Sequence, residues 1–235
     1  EWLYMLDRLH MGGVLADDMG LGKTVQVIAA LKATREKNRT SLIVAPTSLL
    51  YNWLSEIRRF APDLSAVVMT GTVAQRERMW AHLREHGDVD VAISSYPLIR
   101  RDLEWMEEIP FRFIVLDEAQ NIKNAGSIIA HSVKRLKGET RLALTGTPME
   151  NGVGELWSIF DFVLPGYLPA YHNFLRRYQD GMNGDQLRQR IRPFLTRRLK
   201  QDVLEELPDK IVSVLTAAMT QEQRNVYQAA LERLR

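Results

Sequence analysis

The sequence predicts an α/β fold: a parallel sheet with helices on both faces, followed by a helical insert near the C-terminus. Between residues 12 and about 150, short apolar runs alternate with longer amphipathic stretches. The runs at 42–45 (Leu-Ile-Val-Ala) and 113–116 (Phe-Ile-Val-Leu) show no polar alternation. Uninterrupted runs of this length mark strands buried on both faces, the condition of a parallel sheet. After about residue 152 the rhythm changes to helical segments separated by Pro165-Gly166, 181–184 and Pro193.

Taken in order, strands are expected at 13–16, 41–45, 66–69, 89–94, 111–116 and 141–144. Between them, 24–38, 49–60 and 73–86 carry apolar residues at helical spacing. Helices are expected again at 154–164, 170–178 and 186–192. Beyond Pro208 a short β-like stretch occupies 211–215. Thr220, with Gln223 three residues on, predicts a capping box for a last helix reaching Leu234. The expected organisation is a sheet-bearing lobe at 1–152, a helical protrusion and arginine-rich segment packed on that lobe at 153–207, and a connector leading toward a second lobe at 208–235.

Composition narrows the chemistry. At 235 residues and 46% hydrophobic, the chain can bury a core unaided. It has no cysteine, which excludes disulfides, thiol catalysis and cysteine-based metal centres. His82 and His86 can share a helical face, but no carboxylate-rich ligand set surrounds them, so no metal site is expected there. No run of eighteen apolar residues occurs, and Glu1-Trp2-Leu3-Tyr4 lacks a basic leader, so the expectation is no membrane and a cytoplasmic location, nucleoid-associated in a bacterium. Net charge is only +2, yet 23 of the 31 basic residues are arginine, the side chain suited to bidentate phosphate contact. From Arg176 to Lys200 there are eight basic residues against two acidic ones, either a solvated face or a polyanion surface.

Three motifs carry chemistry. The first is Asp17-Asp18-Met19-Gly20-Leu21-Gly22-Lys23-Thr24, between an expected strand and an apolar helix face. Its glycines let backbone N–H groups turn inward at a helix N-terminus, where phosphate binds. Lys23 can reach β- and γ-phosphate oxygens, and Thr24 can place its hydroxyl on Mg²⁺. The strict phosphate-loop pattern wants glycine where this chain has Asp17. The second motif is Asp117-Glu118-Ala119-Gln120, delivered at the end of an apolar strand. Asp117 can hold hydrated Mg²⁺, and Glu118 can deprotonate an attacking water. Loop and acids together imply Mg-ATP hydrolysis. The third, Thr145-Gly146-Thr147-Pro148, can sense the γ-phosphate or can be an ordinary turn with satisfied hydroxyls.

These three segments, with 43–53 (Ile-Val-Ala-Pro-Thr-Ser-Leu-Leu-Tyr-Asn-Trp), Ile93-Ser94-Ser95-Tyr96 and 194–200 (Phe-Leu-Thr-Arg-Arg-Leu-Lys), resemble the motifs of Snf2-type ATPases of helicase superfamily 2. The resemblance covers nearly the whole chain. It implies the first RecA-like lobe of a duplex-DNA-stimulated, Mg-dependent ATPase that translocates on DNA and remodels DNA-bound protein. It places Asp18–Thr24 and Gln120 on the nucleotide, Thr24 and Asp117 on the metal, and makes Lys23, Asp117 and Glu118 catalytic, with Glu118 as the base. It puts Pro46, Thr47, Ser94, Ser95 and Tyr96 near the DNA backbone, has Thr145, Gly146 and Thr147 couple nucleotide to DNA, and makes Arg197 and Arg198 candidates for either DNA or connector contact. Gln120 stands where many members have histidine; an amide still bridges donor and acceptor, so activity is expected to survive. The resemblance also calls for a glutamine upstream of the first loop and a second RecA-like lobe with an arginine finger. Neither lies in residues 1–235, so this stretch is expected to be one lobe of a two-lobe engine, marginal as an ATPase by itself. Two alternatives stay open: a lobe of a strand-separating helicase or restriction-type translocase, and an inactive nucleic-acid-binding adaptor.

Overall fold

The computed structural model describes residues 1–149, 152–181, 183–203 and 219–233. Contacts divide the chain into two units, Glu1–Val203 and Leu204–Arg235. It enters through α1 (Trp2–Arg8), β1 (Gly13–Leu15), α2 (Lys23–Ala33), β2 (Ser41–Ala45) and α3 (Leu50–Phe60). Next come β3 (Ala66–Val68), α4 (Val73–His86), β4 (Val91–Ser95), α5 (Tyr96–Met106) and β5 (Phe111–Leu116). They are followed by α6 (Ile128–Arg135), β6 (Gly138–Leu144), α7 (Val153–Val163), α8 (Tyr171–Tyr178) and α9 (Gly184–Ile191). The first unit closes with β7 (Leu195–Thr196) and α10 (Lys200–Val203), and α11 (Gln221–Arg233) lies in the second.

The seven strands form one sheet in the order β3-β4-β2-β5-β6-β1-β7, and every pairing is parallel. Register explains why the central runs carry no polar alternation. Leu42, Val44, Ile114 and Leu116 pack with Trp80 of α4, Ile99 of α5 and Phe160 of α7. The intervening Ile43, Phe113 and Val115 face the opposite way, onto Val27 and Ile28 of α2 and Ile57 of α3. Successive side chains point to opposite faces, so a strand covered twice must be apolar throughout.

Several elements differ from expectation. Helix α7, expected at 154–164 as the start of the segment packed on the lobe, begins at Val153 and lies on β1 and β6 with Phe160 and Phe162 fully buried. It belongs to the helical layer of the sheet. Helix α5 was not anticipated because a carboxylate interrupts its apolar stripe. That carboxylate, Asp102, is fully buried and takes three hydrogen bonds from Arg76 of α4. Strand β6 begins three residues earlier than expected, at Gly138, while α1, α6 and the two-residue β7 were also unforeseen. In the second unit, Thr220 and Gln223 make the reciprocal capping bonds expected of them. The stretch 211–215 and Leu234 lie outside the described residues. No helix among the described residues is long and apolar enough to cross a membrane.

One consequence of the strand order positions everything that follows. Strands β4, β2, β5, β6 and β1 stand side by side and run in one direction, so the loops after them leave from one edge of the sheet. Ligands collect at this carboxyl edge in open α/β sheets.

Candidate active site

The loop after β1 turns on two glycines with positive φ, Gly20 at 86° and Gly22 at 76°. A Cβ at Gly22 would meet nothing within 4 Å, so backbone conformation, not crowding, demands glycine there. Helix α2 starts at Lys23 and directs its N-terminal amides at the loop. Lys23 Nζ donates to the Asp17 and Asp18 carbonyls at 2.6 and 3.3 Å. Thr24, Asp18 and Leu21 are partly buried, and Met19, Gly20 and Gly22 are exposed at the mouth of the loop.

Asp17, the departure from the strict pattern, is fully buried. Its Oδ1 accepts the Arg198 backbone N–H at 2.9 Å, and its Oδ2 accepts the Arg198 guanidinium through Nε at 3.0 Å and through Nη2. Burial alone would raise the carboxyl's pKa, but the Arg198 side chain, Gln26 and the Arg198 amide outweigh it and hold it below the ordinary value. Sequence reasoning left Arg198 between DNA and the connector. The structure places its side chain on the phosphate loop, while Arg197 is exposed. Arg177, Arg188 and Arg190 of the same segment also meet protein acceptors, on Gln186, Asp185 and the Tyr167 carbonyl.

Strand β5 delivers Asp117 and Glu118. Asp117 Oδ2 accepts the indole N–H of Trp53 at 2.8 Å, and Oδ1 accepts the Glu118 amide at 2.9 Å. Burial raises the Asp117 pKa; the Trp53 bond opposes this, Glu118's charge adds to it, and Lys23's charge lowers it, with a net rise. The loop thus lies close enough to β5's end for the Lys23 charge to act on Asp117. Glu118 itself sits at φ 51°, a left-handed conformation uncommon for a non-glycine residue, which turns its side chain off the strand direction.

A hydrogen-bonded chain then links the second motif to the third. Gln120 Nε2 donates to Glu118 Oε2 at 2.7 Å, and Gln120 Oε1 accepts the Thr145 hydroxyl at 3.0 Å. Thr145 Oγ1 in turn accepts the Thr147 amide at 3.1 Å, with Thr145 fully buried and Thr147 exposed. Gly146, between them, is partly buried.

The residues expected near DNA divide into two groups. Pro46 is partly exposed and Thr47 exposed, at the end of β2. Ser94, Ser95 and Tyr96 are at most 2% exposed, so their side chains offer no surface to a duplex. Ser94 and Ser95 end β4 and Tyr96 opens α5, all three within the packed interior. Tyr96 instead donates its hydroxyl to the Asp117 carbonyl at 2.7 Å, and burial raises its pKa far above normal, so the phenol keeps its proton. Trp53 is the residue that sequence reasoning missed. Its spacing with Leu50 and Ile57 reads as core, but a buried indole N–H requires an acceptor, and that requirement was the available signal.

No group of three His, Cys, Asp or Glu among the described residues could hold a metal ion. His82 and His86 stack on each other, and His82 faces Asp88. Thr24 and Asp117 offer hard oxygen donors suited to Mg²⁺, which commonly completes its shell with substrate phosphates and water. The raised Asp117 pKa marks a buried carboxylate that a cation would relieve. Beside the loop, a cavity of about 610 Å³ is lined by Trp2, Tyr4, Gln26, Ala29, Thr196 and Arg198 among others.

A glycine-rich loop at a helix N-terminus, facing paired acids across one sheet edge, defines the P-loop class of phosphoryl-transfer lobes. The chain belongs to the SNF2-related domain family, whose model matches residues 1–234, and is an Snf2-type RecA-like ATPase lobe of helicase superfamily 2. It is 42% identical over 97% of its length to a putative ATP-dependent helicase/translocase of Bacillus subtilis, covering 26% of that protein. It is 36% identical over 99% of its length to an ISWI chromatin-remodeling complex ATPase of Arabidopsis thaliana, covering 23% of it. The SWI2/SNF2 ATPase core of Sulfolobus solfataricus in complex with dsDNA matches with TM-score 0.77 and 37% identity, over 99% of this chain and 50% of that one. The chain thus spans about a quarter of the curated relatives' length.

Proposed function

We propose that this lobe binds Mg-ATP and supplies the cradle, metal ligands and base of a duplex-DNA-stimulated ATPase that translocates on DNA and remodels DNA-bound protein. The observation that carries this is the convergence of Lys23, Asp117, Glu118 and Thr145 at one sheet edge, with Lys23's charge felt at Asp117. The α2 N-terminus and loop amides would receive the β- and γ-phosphates, and Lys23 would leave its carbonyl partners for them. Thr24 and Asp117 would hold Mg²⁺, whose charge offsets that building on the phosphate oxygens. Glu118, held through Oε2 by Gln120, would take the proton of the attacking water. Transition-state charge on the γ-phosphate also needs a cation from the opposite side, which a second RecA-like lobe with an arginine finger would bring. Thr47, Thr147 and Arg197 are the exposed candidates for DNA-backbone contact and coupling, consistent with binding that positions a duplex without reading its sequence.

The test is steady-state phosphate release by the full-length protein with no nucleic acid, duplex DNA, single-stranded DNA or RNA, beside a Lys23→Ala control. Stimulation by duplex alone, abolished by Lys23→Ala, supports the proposal. Equal stimulation by single strands would favour a strand-separating helicase, and no turnover with any of them an adaptor.

A further inference from the structure

We propose that Arg198 is a positioning residue for nucleotide binding, acting through Asp17 to hold the phosphate loop from the segment that closes the first unit. This rests on the nucleotide-site reading above. The segment after β7 is laced to the loop along its length. Ala16 donates its amide to the Thr196 carbonyl at 2.7 Å, and Asp18 donates to the Arg198 carbonyl at 3.0 Å, so the loop continues the β1–β7 pairing beyond the strands. The Lys200 amide donates to Asp18 Oδ2 at 3.0 Å. A Cβ added at Gly20 would lie 3.5 Å from Lys200 Cε, which places that side chain over the loop.

The charged pair stands at the centre of this lacing. Asp17 occupies the position where a phosphate loop ordinarily turns on glycine, and its side chain is fully buried, so it cannot itself touch nucleotide. Three donors of Arg198 satisfy it: the backbone amide, Nε and Nη2. Nη2 also donates to Gln26 Oε1 at 2.8 Å, and Gln26 Nε2 returns to Asp17 Oδ2 at 3.4 Å. The triangle joins the start of the loop, the first turn of α2 and the segment after β7. Lys23 donates to the Asp17 carbonyl, so whatever fixes the Asp17 backbone also fixes the ammonium that would meet phosphate. Without the Arg198 guanidinium a buried carboxylate keeps only the residue-198 amide and Gln26 as donors and loses its cation, and the loop must rearrange to reach water or another cation. Lys23 is the nearest cation tied to that backbone, so it would be drawn away from its function.

Positioning of this kind predicts a specific split. In the full-length protein, Arg198→Ala should raise KM for Mg-ATP about tenfold or more, leaving the salt dependence of duplex binding unchanged. Asp17→Asn should reproduce part of the rise, although Asp17 does not border the cavity that Arg198 lines. The double variant should be no worse than Arg198→Ala, because both changes break one contact. Arg198→Lys keeps the charge but loses the paired donors, and should fall between Ala and wild type; it carries the same readout if Arg198→Ala does not fold. An unchanged KM with a lower melting temperature would show a merely structural pair and overturn the proposal. A salt slope shallower by about one unit, with KM intact, would make Arg198 a DNA contact and overturn it too. A wild type that binds no Mg-ADP in calorimetry would remove the nucleotide reading itself, an outcome distinct from wild type and Arg198→Ala binding equally well.

Discussion

The Thr145 hydroxyl donates to Gln120 Oε1 across 3.0 Å, so the ends of β6 and β5 share one hydrogen-bonded chain that reaches Glu118. Thr145 is fully buried, whereas Thr147, bonded to it through its amide, is exposed. Displacement at the surface can therefore reach the proposed base through two side chains. Thr145→Val keeps the shape and removes both bonds. The expected outcome is a roughly tenfold fall in the ratio of duplex-stimulated to unstimulated turnover, the equivalent of about one hydrogen bond. A ratio equal to wild type would show that coupling runs elsewhere.

Glu118→Gln tests the base directly. The amide preserves shape and can still meet Gln120, but it cannot take a proton. Nucleotide affinity should persist while turnover falls by about 10²–10⁴. Phosphate release within twofold of wild type would take Glu118 out of the chemistry.

Trp53→Phe removes the donor on Asp117 Oδ2 and also trims a buried ring from the core. Partners that orient a metal-binding carboxylate typically matter by about 10–100-fold in metal affinity. The variant should need correspondingly more Mg²⁺ for half-maximal turnover. It should also melt a few degrees lower, since a buried acceptor left unpaired costs about 1–3 kcal/mol. Superimposable Mg²⁺ titrations would reduce Trp53 to a core residue.

Asp17 should be visible in acid. Its carboxyl is held below the ordinary value, since Arg198 and Gln26 outweigh the effect of burial. A depressed folded-state pKa contributes stability that is complete above the unfolded value, near pH 4, and lost as pH falls through the folded one. The groups facing it are Arg198 and Gln26, with Lys23 on its carbonyl; Arg198, whose pKa Asp17 raises further, keeps its charge throughout this window. Asp17→Asn should therefore be less stable at neutral pH, with a melting temperature that declines less steeply below pH 4. Parallel declines would mean that the pair contributes nothing to acid sensitivity.

The features legible in the sequence were those with a local period or a contiguous motif. Strands β2 and β5 fall where their uninterrupted apolar runs placed them, because burial on both faces leaves a signature within five or six residues. The loop at 17–24 and the acids at 117–118 were legible for the same reason. Helix α5 was not, since Asp102 is buried by Arg76, a partner 26 positions away. The partner of Asp17 lies 181 positions away, and nothing in either neighbourhood announces the other. Ser94, Ser95 and Tyr96 illustrate the converse. The resemblance put them near DNA, but a motif position says nothing about which layer covers a side chain, and all three are buried.

The place of β1 in the sheet sets a timetable for synthesis. Its neighbours are β6 and β7, with Val14 paired to Ala143 on one side and Leu195 on the other. Both arrive late. While the intervening chain is being made, β1 has no strand to pair with, and Asp17 has no arginine. At about 5–20 residues per second, the 181 positions between Asp17 and Arg198 take roughly 10–35 s to emerge. Until β6 emerges the nascent chain carries an apolar strand with both edges open, and until β7 emerges one edge stays open, the kind of segment that invites misassembly. A chain built this way depends on prompt emergence of residues 195–198, and pausing just upstream of them would be the most hazardous place to stall.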